Sequence, residues 1–225
     1  MTIDTRIKHV SFDAWNTLIS ANPSFTEART LIIANALNTD YASAKARYTA
    51  AKKAADHRAE KDCISEPTLD LYTKLMGGDS VLAAKTMLES YQQFVKHQPQ
   101  MPQNVIDALW LLRNNGISFS VTSNTNFVSG HVLNAVLQMQ SGGFAFGIYS
   151  DLEGIAKPSA SLFGMMYEQA RKYNPNIRHR IDVMHVGDNM HCDVWGASSS
   201  GFEAHLTTVK ELNPITLRKA LEQHE

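Results

Sequence analysis

Five short apolar runs recur along the chain, at residues 7–12, 117–122, 144–149, 181–186 and 203–206, each bounded by turn-forming residues. Runs this short are too short for core helices and suit strands buried in a parallel sheet. Between most of them lie helical patterns, at 103–114, 127–138, 161–173 and 214–223. Strand alternating with helix predicts an α/β fold, a Rossmann-like doubly wound parallel sheet with helices on both faces.

The alternation stops from about residue 22 to about residue 99, where Ala-, Lys-, Leu- and Glu-rich segments carry helical periodicity and no strand pattern. Four helices are expected there, at 24–37, 41–62, 66–76 and 80–97. Ser65 is placed to cap the third, with Pro67 in its first turn and Gly77-Gly78 ending it. The expected organisation is a core domain of residues 1–20 and 99–225 with a helical domain, residues 21–98, inserted in it. Met165-Met166 and the run Trp110-Leu111-Leu112 read most simply as core, and Lys52-Lys53 as a solvated helix face.

Charge changes the picture by exclusion. The 21 basic and 22 acidic residues nearly cancel, so no general field draws the chain onto nucleic acid or an anionic membrane. With 44% hydrophobic and 19% charged residues the composition is that of an ordinary globular chain. The expected partner is a small molecule, and the expected state is monomer or homodimer. Cys63 and Cys192 lack the C-x-x-C spacing of zinc or redox sites and suit a reducing compartment. The first residues carry no signal-like apolar core, and no apolar run spans a bilayer, so a cytoplasmic location is expected.

In open α/β sheets ligands bind beyond the carboxyl ends of the strands. Phe12-Asp13-Ala14-Trp15-Asn16-Thr17-Leu18 follows the first predicted strand, Ser123-Asn124 the second, and Gly187-Asp188 the fourth, with Asp193 five residues on. Lys157 lies in the loop Gly154-Ile155-Ala156-Lys157-Pro158. Taken alone, each aspartate is a turn former, Ser123-Asn124 a helix cap and Lys157 a surface charge. Their joint order resembles the haloacid dehalogenase superfamily, whose members share an aspartate nucleophile: strand-Asp-x-x-x-Thr-Leu, strand-Ser-Asn, Gly-x-x-Lys-Pro and Gly-Asp-x-x-x-x-Asp, the last followed by Gly196-Ala197. The resemblance covers essentially the whole chain and implies that the helical insertion is a cap closing over the substrate.

By that resemblance Asp13 is the nucleophile, and a carboxylate can indeed hold a covalent intermediate that divides one displacement into two. Lys157 would neutralise charge, Ser123 and Asn124 would donate hydrogen bonds to the transferring group, and Thr17 would orient the loop or touch that group. A phosphate substrate would require Mg²⁺, with Asp13, Asp188 and the Trp15 carbonyl as hard oxygen ligands and Asp193 holding metal waters or Lys157. Trp15, which also adjoins the substrate, stands where the superfamily's phosphatases carry a general acid, and an indole gives up no proton at neutral pH. A contribution of roughly 10²- to 10⁴-fold then has no evident source. Asn16 replaces a common glycine. The first motif is closer to the metal-independent 2-haloacid dehalogenases, which show Asp-Ala-Tyr-Gly-Thr-Leu and set a cap arginine against the halide; Arg29 and Arg47 are the candidates here. The expectation is a Mg²⁺-dependent phosphohydrolase for a small phosphorylated metabolite, the alternatives being a 2-haloacid dehalogenase-like hydrolase and a degenerate binding protein. His191 and Cys192 are expected to have no catalytic part.

Overall fold

The computed structural model describes residues 3–223. Five parallel strands, β1 (His9–Phe12), β2 (Ser118–Ser123), β3 (Gly147–Tyr149), β4 (Val183–Gly187) and β5 (Glu203–Leu206), form one sheet in the order β3-β2-β1-β4-β5. β1 lies at its centre, with Phe12 opposite Val121 on one side and Val186 on the other. Because successive side chains of a strand face opposite ways, Val10, Phe12 and Ala14 enter one core, while His9, Ser11 and Asp13 fall on the other side. The first core packs the sheet against α5 (Gln103–Asn114), α6 (Gly130–Ser141) and α8 (Pro214–Glu222). The second packs it against α7 (Ala160–Tyr173), whose Leu162, Phe163, Met166 and Ala170 repeat at the spacing of one helix face.

Between β1 and β2 the chain makes four helices, α1 (Pro23–Ala36), α2 (Tyr41–Asp62), α3 (Thr68–Leu75) and α4 (Ser80–Lys96). Asn22, Asp40 and Asp79 cap α1, α2 and α4 by accepting hydrogen bonds from Ser24, Ser43 and Leu82 amides at 2.9 Å. These helices hold their own cluster of Ile33, Ala44, Tyr48, Leu71, Tyr72, Leu75 and Ala83, and one side chain from outside, Phe127, completes it. Its ring meets Tyr48 and Tyr72 edge-on at 4.9 and 5.2 Å.

Several expectations about local structure are corrected. Ser65 does not cap α3, which begins two residues later with Pro67 at its N-cap; the Ser65 hydroxyl instead lies 2.9 Å from the Ser150 hydroxyl. The helix expected from 127 begins at Gly130, since Phe127 is drawn into the insertion's core and Asp151 accepts hydrogen bonds from the Gly130 amide at 3.0 and 3.2 Å. A Cβ at Gly130 would stand 2.2 Å from that of Tyr149, so only glycine fits. Trp110 is not core but 52% exposed, with the Arg113 guanidinium 5.5 Å from its ring. Residues 181 and 182 belong to a single 3₁₀ turn, Arg180–Asp182, ahead of β4.

Candidate active site

Asp13 follows β1 directly, and the same alternation that buries His9 and Ser11 points it to the polar side of the sheet. Its Oδ1 accepts hydrogen bonds from Ser123 Oγ at 3.0 Å and Lys157 Nζ at 2.7 Å, while Oδ2 takes neither. The Lys157 ammonium, 1% exposed, also donates to Asp193 Oδ1 at 2.6 Å. Asp193 sits in a π-helical turn, Met190–Trp195, which starts where Asn189 Oδ1 accepts from the His191 and Cys192 amides. That wide turn folds Asp193 back over Gly187, where a Cβ would lie 2.2 Å from the carboxylate carbon. Asp193 Oδ1 also lies 3.1 Å from His185 Nε2, and Oδ2 accepts from the Asn189 amide at 2.9 Å, so both of its oxygens are engaged. Behind it His185 Nδ1 lies 3.2 Å from Ser11 Oγ, which donates to Thr122 Oγ1 at 2.8 Å. Charged groups at the sheet's end are thus tied to a hydroxyl and imidazole layer beneath.

Burial pushes the Asp13 carboxyl above the usual carboxylate range, with Lys157 acting against it and Asp193 reinforcing it. Burial would also raise Asp193, but Lys157 and His185 outweigh it and hold that carboxyl below the usual range. The ammonium itself is held above the usual lysine range, since the two carboxylates outweigh its burial. Asp188 is raised by burial and by the Asp193 charge. Single oxygens of Asp13, Asp188 and Asp193 all lie within 4.8 Å of one another.

The expected site residues divide by position. Asp13, Trp15, Asn124, Lys157, Asp188 and Asp193 line one cavity of about 380 Å³. Ser123 lies just beneath it against Asp13, and Thr17 is buried with no hydrogen-bond partner for its hydroxyl among the described residues. The Asn124 amide is committed at both ends to the lysine loop, donating to the Lys157 carbonyl at 3.0 Å and accepting from the Lys157 amide at 2.7 Å. Trp15 meets Phe94 of α4 edge-on at 6.3 Å and so forms a wall shared by the sheet's end and the insertion.

The opposite wall escaped the sequence, apart from Arg29. α1 supplies Asn22, Phe25, Thr26 and Arg29, and α2 supplies Tyr48, Lys52, Asp56 and Glu60, each at helical spacing. Lys52, expected to be simply solvated, borders the cavity and pairs with Asp56 at 2.6 Å. Charged residues recurring on one side of α2 were the available signal, but they look the same as a solvated face. Arg47 does not border the cavity; its guanidinium lies near Gly77. Cys192 borders it with its thiol pushed up to about 12 by burial, a protonated and unreactive state.

A Rossmann-like parallel sheet with a helical insertion thus carries an aspartate, a lysine and further carboxylates gathered beyond its strands. A family model described as haloacid dehalogenase-like hydrolase matches residues 7–201, and the chain belongs to that family. Among solved structures, a 2-haloacid dehalogenase from Pseudomonas syringae pv. Tomato is 22% identical, with 88% of this chain and 85% of that one covered and a TM-score of 0.61. An HAD phosphatase from Thermococcus onnurineus is 20% identical over 90% and 86%, TM-score 0.63. A magnesium-bound HAD-hydrolase from Bacillus subtilis is 16% identical over 90% and 87%, TM-score 0.64. At such identities the likeness is one of fold, and it spans dehalogenases and phosphatases alike. No curated protein sequence matches the chain. Among the described residues no helix is long and apolar enough to cross a membrane.

Proposed function

We propose that the chain is a Mg²⁺-dependent phosphohydrolase that attacks a small phosphorylated compound with the carboxylate of Asp13. The observation that carries this reading is a charge imbalance on the cavity floor. Three carboxylates face one ammonium, which pairs with Asp13 and Asp193 and leaves Asp188 without an ion pair among the described residues. An all-oxygen donor set with excess negative charge suits a hard divalent cation. Asp13, Asp188 and the Trp15 carbonyl would hold it, and when bound it would offset the charge of carboxylate and phosphoryl oxygens. Asp193, with both oxygens engaged, is assigned to fixing Lys157, and it reaches a metal only through water.

The other residues act on the carboxylate. Ser123 and Lys157 grip Asp13 Oδ1, which fixes the side chain and directs the unbonded Oδ2 to the substrate. The Lys157 charge favours the ionised, nucleophilic form that burial alone disfavours. Attack forms an acyl phosphate on Asp13 and breaks the bond to the leaving oxygen; water then hydrolyses it and restores the carboxylate. Thr17, whose buried hydroxyl lacks a partner among the described residues, is assigned a hydrogen bond to the loop or the phosphoryl group once substrate is bound. Asn124 is assigned to holding the Lys157 backbone. With Trp15 in place of an acid, the leaving oxygen departs unprotonated by that residue, so turnover should favour phosphate esters of acidic alcohols or phenols.

The test is a substrate panel measured with Mg²⁺ and with EDTA, on the chain and on Asp13→Asn. Phosphate release from aryl phosphates that EDTA stops, and that Asp13→Asn lowers by about 10³-fold or more, is the expected result. A second reading rests on Trp15 and on the cap-side Arg29: a 2-haloacid dehalogenase, whose halide leaves without a proton. Halide release that continues in EDTA would install that reading in place of the first, and no turnover of either kind would indicate a binding protein.

A further inference from the structure

Arg29 is 8% exposed, and its Nε is buried without a hydrogen-bond partner among the described residues. Its guanidinium carbon lies 4.0 Å from the centre of the Tyr48 ring and 4.7 Å from that of Phe25, which stands one turn earlier on the same helix. Among the described residues no carboxylate forms an ion pair with it; Asp56 on the neighbouring helix is taken by Lys52 and by the Asn126 side chain. The group nonetheless borders the cavity that contains Asp13. Ring faces attract a cation, but they do not replace the anion that a desolvated guanidinium calls for. A buried cation left open towards a binding cavity points to a counter-charge that arrives with the ligand.

We infer that Arg29 recognises a second anionic group of the substrate, a carboxylate remote from the group that reacts with Asp13, so that the substrate class is a phosphorylated carboxylic acid. The inference rests on the phosphohydrolase reading for the reacting end alone. A carboxylate fits better than a second phosphate for two reasons. The planar fork of one guanidinium matches its two oxygens. A phosphate dianion would need more positive charge than this wall offers, since Lys52 is already paired with Asp56. Trp15, Phe94 and Phe25 line the same cavity in successive edge-on contact and offer the body joining phosphate to carboxylate an aromatic surface to pack on. The size of the cavity, about 380 Å³, suits a small molecule with both groups better than a phosphoryl group alone.

Calorimetric titration of the full chain with Mg²⁺ tests this with three non-hydrolysable probes: phenylphosphonate, 4-carboxyphenylphosphonate and benzoate. The carboxylated phosphonate should bind at least about ten-fold tighter than phenylphosphonate, the gain expected of a charge-assisted hydrogen bond. In Arg29→Gln that gap should close and benzoate binding should vanish, while Arg29→Lys should retain part of both. Equal affinity of the two phosphonates for the unmodified chain would overturn the inference, and so would a gap that persists in Arg29→Gln. If that variant does not fold, the unmodified chain and Arg29→Lys still decide. Displacement of bound benzoate by millimolar bromide would identify a halide pocket and overturn it too. Benzoate binding through Arg29 without phenylphosphonate binding would remove the phosphohydrolase reading and keep the carboxylate subsite. The reverse pattern would remove only the subsite.

Discussion

The floor and the roof of the cavity handle charge in opposite ways. On the floor, Lys157 is enclosed by Asp13 and Asp193, Asp193 leans on His185, His185 on Ser11 and Ser11 on Thr122, so that each of these groups is fixed by the one beneath it. On the roof, Arg29 is nearly as buried but lies against two aromatic rings and, among the described residues, has no ion pair. A charge held by partners gathered beyond the ends of one sheet is pre-organised. A charge left without a partner is open to whatever ligand completes it. The two regions are also joined covalently and by pairing: the stretch after α2 forms an antiparallel bridge at Ile64 and Ile155, with Ala156 donating to the Cys63 carbonyl at 3.0 Å, next to the lysine of the floor. The insertion is therefore seated on the loop that carries Lys157.

The largest effect should come from breaking the floor. Lys157→Met leaves Asp13 and Asp193 buried and mutually repelling, and turnover should fall by about 10³-fold or more. Chemical denaturation should show a loss of about 3–5 kcal/mol, as for other buried pairs that lose one partner. Unchanged stability would mean that water or a metal already screens the two carboxylates. Next in size is the joint between the regions. Phe127→Ala removes the only side chain from outside the insertion in that cluster of described residues, and should cost about 3 kcal/mol. Proteolysis should then cut α1 to α4 before the sheet; simultaneous cutting of both would argue against a separable roof.

The effect that is smallest at neutral pH, and grows only in acid, concerns the layer under the floor. Burial lowers the His9 imidazole from 6.5 to about 3, while the Ser118 and Ser120 hydroxyls lie 2.8 Å from its two nitrogens. The unfolded chain binds this proton more readily than the folded one. The stability that neutral His9 contributes is therefore complete above pH 6.5 and declines as pH falls from there towards about 3. The decline should approach about 1.4 kcal/mol per pH unit within that window. His9→Gln should flatten it in denaturation curves taken across the range, and an unaltered slope would assign the acid sensitivity elsewhere, His185 being the other imidazole lowered by burial.

Much of this floor was legible in the linear chain. Strand ends put Asp13, Ser123 and Asp188 at one edge of the sheet, because a parallel sheet directs all its carboxyl ends the same way, and the resemblance of the motif order to the superfamily singled out Lys157 and Asp193. Helices α2 and α5 and strand β5 matched their periodicity to the residue. What the linear chain determined, then, was the period of each segment and the order of its chemical groups, since both depend on neighbours a few residues apart. Tertiary structure alone decided that Phe127 leaves its helix for another core, that Ser65 faces Ser150 rather than a helix end, and that Asn124 serves the lysine backbone. It likewise decided that Arg29 lies against two aromatic rings, with no ion pair among the described residues, on the wall of the cavity that holds Asp13. Those outcomes turn on partners tens of residues away, and a local pattern holds no record of which distant surface will exclude water from a side chain.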